Sequence, residues 1–378
     1  MAGIYGEFME MMWFQAYEKL RHFITKHPEI QITRHVIAIP ENIRPEFYRL
    51  FNQVRTDFVK KQFPNLPGET KRLKENYDQA EEDVKGLLEL EKISIAMDLY
   101  HFLNDAKGRL SQELLDLLFN LLKNQIDVET FEKEATIDLK RSYRELFHWV
   151  YQKWIALSLV KLLKAKKNFS VPVPSIEMTP RGPKIVVDPK PVPKPENSRE
   201  ISFLHDTTPV FIVPDFIIYS SRIRRYVALR TEIGNLDTTA EVMWKASEIS
   251  TERQWHSHKE LEFLWRKYYT LDLKFDLFLY THNRPKDIAL IADVERICRP
   301  DLILVCMERG DPLEKGLEKS SLYKKFLNPK FGTFIVSISP FKKVGQDKME
   351  EETFLLTIGF NQAKMNSIVN ALGMGNIW

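Results

Sequence analysis

Cysteine is nearly absent from this chain: Cys298 and Cys306 are the only two in 378 residues. That excludes a disulfide-framed scaffold and paired-cysteine zinc modules, and it favours a reducing compartment. Glycine is scarce too, at 14 residues. Nowhere do glycines gather into a phosphate-closing loop or a Gly-x-Ser-x-Gly elbow, and there is no His-Glu-x-x-His pair. Common nucleotide hydrolases, elbow-type serine hydrolases and zincins are thereby removed, whereas enzymes with dispersed sites are not. No apolar run reaches the length a bilayer demands. The most apolar one, WIALSLVKLLKA from Trp154, is short and broken by Lys161 and Lys164. The opening MAGIYGEFMEMMWF carries Glu7 and Glu10 and has no basic start or small-residue cleavage site, so it does not read as a signal peptide. A cytoplasmic protein without a membrane partner is the expectation. Charge of one sign is also missing: 55 Lys and Arg against 52 Asp and Glu leave a net +3. A polyanionic partner would have to be met by a local patch, not by the field of the whole molecule.

What is present is enough for well-packed cores. Aromatic residues make up 12% of the chain, which argues against disorder, and the length suits two or three domains. The first half has helical spacing almost throughout: Glu7–His27, Arg44–Phe63, Val84–Lys107, Ser111–Asn124 with Ser111 as its start, and Glu129–Lys167, while the strongly charged Glu69–Glu82 reads either as a solvated helix or as a mobile segment. Residues 169–198 then collect eight of the chain's twenty prolines. Proline fixes extended backbone and donates no hydrogen bond, so this stretch reads as a semi-rigid connector. Beyond it the period changes. Val210–Tyr219, Tyr226–Ile233, Leu273–Tyr280, Asp301–Met307, Gly332–Ser339 and Thr353–Phe360 read as strands, with helices over 238–247, 252–269, 285–298 and 362–372. The expected architecture is an N-terminal all-helical domain (1–168), the connector, and a C-terminal α/β domain with a mixed sheet (199–378). Strand, helix and strand over 273–307 predict a parallel βαβ unit.

One candidate site stands out. Pro214-Asp215 opens an apolar strand, a polar turn follows, and Tyr226-Val-Ala-Leu-Arg230 begins the next strand. In outline this pair resembles the PD-(D/E)XK, restriction-endonuclease-like superfamily over residues 209–307. There an acid after proline and an acid-x-lysine on the next strand hold a hard divalent ion and an attacking water. Here Ala228 stands at the family's acid and Arg230 at its lysine, so the motif is degenerate. Residues 228, 230 and 232 share one strand face, which offers Glu232 as a replacement carboxylate. The resemblance implies Mg²⁺ or Mn²⁺ on Asp215 and Glu232, Arg230 on phosphate, and phosphodiester hydrolysis if the domain is active. Arginine stays protonated and grips phosphate better than it activates water. The same residues also describe an ordinary hairpin with solvated ends, and Pro300-Asp301 is a second copy of the dipeptide.

Other groupings compete. Arg222, Arg224 and Arg225 in the hairpin turn form a basic knot. With the nine Lys and Arg between Lys161 and Arg199 they suit a phosphate backbone. The βαβ reading would place His282, Glu308 and Asp311 in loops at the strand ends, an alternative small-ligand site. His256 and His258, with Glu260 and Glu262, lack the i, i+4 spacing of zinc-binding histidines. The aromatic-rich helix around Trp149 and Trp154 suits a helix–helix interface, so the contrasting expectation is a non-catalytic scaffold that meets a protein partner through its helical domain.

Overall fold

The structure is a computed structural model and describes residues 2–172, 176–179, 182–185, 194–203, 213–231, 276–291, 298–307, 309–341 and 352–373. It has N-terminal helices followed by a C-terminal α/β region built on a mixed eight-stranded sheet. The chain divides into two compact units, residues 1–75 with 97–147 and residues 76–96 with 148–378.

The first unit is helical. Helix α1 (Ala2–Lys26) packs on α2 (Arg44–Gln62). Proline at its first turn starts α2, because its missing N–H would be unpaired there anyway. Phe47, Leu50, Phe51, Val54 and Phe58 recur at helical spacing and are buried. Pro64 follows the Phe63 cap and prevents continuation. Trp13 lies edge-on to Phe58 at 5.2 Å and 5.6 Å from Phe131. Burying each such side chain contributes about 1.5–3 kcal/mol.

Three of the helical segments differ from expectation. Val84–Lys107 is not one helix. Helix α3 (Leu66–Leu88) ends where Glu89 turns to φ 53 and the Leu90 N–H bonds back to Lys85 O. That closes a left-handed cap and lets Lys92–Ser94 run as strand β3, ahead of α4 (Met97–Asn104). Ser111 starts no helix. It lies inside α5 (Ala106–Gln112), and Asp105 is the cap, accepting from the Gly108 N–H. Helix α6 is Leu115–Leu122. The long α7 (Val128–Leu162) stops short of Lys167: Lys164 takes φ 51, and Ala165–Ser170 become strand β4.

Two short hairpin or ladder pieces, β1 (Gln31–Ile32) with β2 (Ile37–Ala38) and β5 (Ile176–Thr179) with β6 (Gly182–Ile185), stand outside the main sheet. Strand β8 (Glu200–Ser202) pairs with β3 in parallel. The main sheet is ordered β14 (Thr353–Thr357), β13 (Thr333–Ser337), β12 (Leu302–Met307), β11 (Leu277–His282), β10 (Arg225–Arg230), β9 (Phe216–Ser220), β4, β7 (Glu196–Asn197). From β7 to β12 every neighbour is antiparallel, and β12, β13 and β14 are parallel.

The expected parallel βαβ unit over 273–307 is therefore overturned, since β11 and β12 run antiparallel with Leu277 opposite Leu304. Pro285–Ile288 form one 3-10 turn and Ala289, Leu290 and Ile291 pack in the core, so the described start of this connection is no crossover helix. The parallel unit lies one step later, as β12, α8 (Leu313–Phe326) and β13. Helix α8 sets Leu313, Leu322 and Tyr323 against Ile303, Val305 and Ile335. Gly316 allows the close approach, because a Cβ there would sit 2.7 Å from Met307 Sδ and 2.9 Å from an Ile335 methyl. On the opposite face the second half of α7 contributes Tyr151 and Trp154, which pack with Phe360.

Candidate functional site

Three apolar strands begin with the same device. Asp215, Asp276 and Asp301 each immediately precede a strand: β9, β11 and β12. The first residues of those strands pair with Leu229, Leu304 and Leu279 of the antiparallel neighbour. In each case the aspartate carboxylate accepts the N–H two residues beyond that partner. Thr231 N–H donates to Asp215 Oδ2 at 2.7 Å, Cys306 N–H to Asp276 Oδ1 at 3.1 Å, and Thr281 N–H to Asp301 Oδ2. The other oxygen meets further donors. Arg230 Nη1 lies 3.1 Å from Asp215 Oδ1, and Lys330 Nζ 2.7 Å from Asp301 Oδ1. Asp276 Oδ2 accepts from Tyr323 Oη at 2.7 Å, with Lys319 Nζ at 3.7 Å. A short acidic side chain at a strand head thus ties down a backbone N–H of the neighbouring strand and faces a cation.

The Asp215 end of the sheet is dry. The side chains of Asp215 and Arg230 are 1% and 5% exposed. Thr231 Oγ1 donates to Asp215 at 2.6 Å and accepts from Lys153 Nζ at 3.0 Å. Gln152 accepts from Lys153 and donates to the carbonyls of Thr231 and Asp276, joining the ends of β10 and β11. Burial raises the Asp276 carboxyl above the usual range against the opposing pulls of Lys319, Tyr323 and the Cys306 N–H. Burial likewise pushes the Cys306 thiol well up, with the Asp276 charge adding to it.

As a metal ligand Asp215 fits poorly, because both its oxygens already hold donors from Thr231 and Arg230. Among the described residues no group of three or more His, Cys, Asp or Glu could hold a metal ion. Glu232, His256, His258 and Glu308 lie outside the described residues. His282 and Asp311 are not brought together. Antiparallel pairing puts His282 beside the start of β12 and Asp311 beyond its end. His282 Nδ1 lies 2.8 Å from Asp287, which Arg284 also holds at 2.7 Å. Asp311 pairs with Lys315 at 3.1 Å.

The hairpin turn is different. Ser220 Oγ donates to Leu163 O and Ser221 Oγ to Lys164 O, which fastens the turn to the end of α7 and the start of β4. Arg222 donates to Asn366 at 2.8 Å, Asn370 at 3.0 Å and Leu162 O at 3.2 Å, and remains exposed. Arg224, at φ 55, is exposed, while Arg225 is half-buried. Pairing of β4 with β9 brings Lys164, Lys166 and Lys167, all exposed, alongside. No family model, curated protein or solved structure matches the chain. Its chemistry therefore has to be read from this geometry. The arrangement is a cationic sheet end, rich in donors.

Proposed function

We propose that the α/β unit is a non-catalytic nucleic-acid-binding module which takes the phosphate backbone at the turn between β9 and β10. The observation that carries this reading is the convergence of Lys164, Lys166, Lys167, Arg222 and Arg224, all exposed, on one end of the sheet. They come from segments separated in sequence, so helix-dipole compensation at the end of α7 does not account for the set. The resemblance to the nuclease-like superfamily is compatible with this as a degenerate form. Asp215 would have to surrender Thr231 and Arg230 before it could bind an ion, and breaking a buried ion pair costs about 3–5 kcal/mol.

Fluorescence anisotropy with a labelled oligonucleotide tests the reading. The protein should bind at low salt and release as salt rises, because binding neutralises phosphates and frees counterions. The triple substitution Lys166→Ala, Arg222→Ala, Arg224→Ala should weaken binding at least tenfold at fixed salt, while Mg²⁺ or Mn²⁺ leaves the oligonucleotide intact. Wild-type affinity in the triple variant would remove the proposed interface, and metal-dependent cleavage would restore the enzymatic reading.

A further inference from the structure

The register of the sheet places one unusual row beside the cationic turn. Lys167 on β4 is opposite Tyr219 on β9, Tyr219 is opposite Tyr226 on β10, and Tyr226 is opposite His282 on β11. Directly paired residues project from the same face, so these four side chains form one line across four strands. With strands about 4.8 Å apart the line is roughly 14 Å long. Lys167 and His282 at its ends are exposed, and the two tyrosines between them are half-buried. Their ring centroids are 5.1 Å apart, and Phe169 meets Tyr226 edge-on at 5.7 Å. Phe169 and Tyr226 both pack against the core cluster, which fixes the base of the row.

We infer that this row is a stacking platform for single-stranded nucleic acid, with unpaired bases lying on Tyr219 and Tyr226. The inference rests on the phosphate-binding reading above and adds which form of nucleic acid the site takes. Every base has a π face, so aromatic side chains on a sheet bind a single strand with little sequence preference. A duplex keeps its bases stacked on one another and gains nothing from the tyrosines. The surroundings carry complementary charge: Lys167 at one end of the row, Lys286 beyond His282 at the other, and Arg224 in the turn between β9 and β10, while Arg284 and His282 are paired with Asp287.

The test compares three labelled probes at matched salt: an oligo-dT strand, a duplex of equal length, and a strand of abasic sites with the same phosphates. Wild-type protein should hold the oligo-dT strand at least about tenfold more tightly than the abasic strand, given the usual worth of one or two stacked bases. The Tyr219→Leu, Tyr226→Leu pair should lose that margin on oligo-dT and leave duplex binding unchanged. The Tyr219→Phe, Tyr226→Phe pair should retain it. Equal wild-type affinity for the oligo-dT and abasic strands overturns the platform, and this comparison needs no variant to fold. If the abasic strand and duplex still bind in an Arg224-dependent way, the phosphate reading survives alone. If no probe binds at low salt, both fall.

Discussion

The two ends of the β9–β10 hairpin hold similar residues and use them in opposite ways. At the Asp215 end Arg230 and Lys153 are buried and face fixed acceptors. At the turn end Arg224, Lys166 and Lys167 are exposed, and Arg222, though held by Asn366, Asn370 and the Leu162 carbonyl, is exposed as well. The difference teaches that a motif of charged residues has no function apart from its surroundings. The Asp215 end uses its charges to hold strands in register. The end that looks like an ordinary turn keeps its charges available.

The largest expected effect lies at the dry end. Asp215→Ala leaves Arg230 buried and the Thr231 N–H unpaired, and should cost about 3–5 kcal/mol by chemical denaturation. Asp301→Ala removes the same kind of cap, but Lys330 is 48% exposed and returns to water, so about 1–3 kcal/mol is expected. Equal losses at both positions would show that the caps, and not the burial of the cation, set the cost. At the turn end Arg224→Gly should act with opposite signs on two properties. It relieves a left-handed backbone position, raising stability by about 0.5–1 kcal/mol, while it weakens oligonucleotide binding. A variant that destabilises and binds as before would erase the contrast between the ends.

The smallest effect concerns Asp276. Its folded carboxyl is raised by burial, so the folded state takes up a proton before the unfolded state does. Its contribution to stability therefore grows as pH falls from the raised folded value toward the ordinary carboxylate range. Relative to Asp276→Asn, the wild-type protein should gain stability over that acid window in urea denaturation. A difference that stays flat or declines there would mean the dry end is wetter than its geometry implies.

Much of this was legible in the residues. The strands over 216–220, 225–230, 302–307, 333–337 and 353–357 follow apolar runs with β-branched or aromatic content, and α2 follows its proline start and Pro64 stop. Strand direction was not legible. The run DLILVCM is apolar on both faces, which suits a parallel strand, and β12 is indeed parallel to β13, yet on its other side it pairs antiparallel with β11. Strand β4 was hidden because a bulge after Ala165 breaks its alternation and its lysines resemble a helix end. Helix α8 was hidden by Gly316 and by Ser320 and Ser321, small or weakly helical residues present where the helix meets the sheet. The capping device was written plainly, as DFIIY, DLFLY and DLILV. Reading the three together would have marked Asp215 as one of a set and not as a singular acid. The Lys167–Tyr219–Tyr226–His282 row needs the register of four strands, which no single segment contains.

The most direct measurement is the slope of log binding constant against log salt for a single-stranded oligonucleotide, in wild-type protein and in the Lys166→Ala, Arg224→Ala pair. Each cation lost should remove about 0.7 from the slope, so the pair should be shallower by about 1.4. Parallel lines for the two proteins, or a wild-type slope near zero, would contradict the assignment of the exposed turn end as the binding surface.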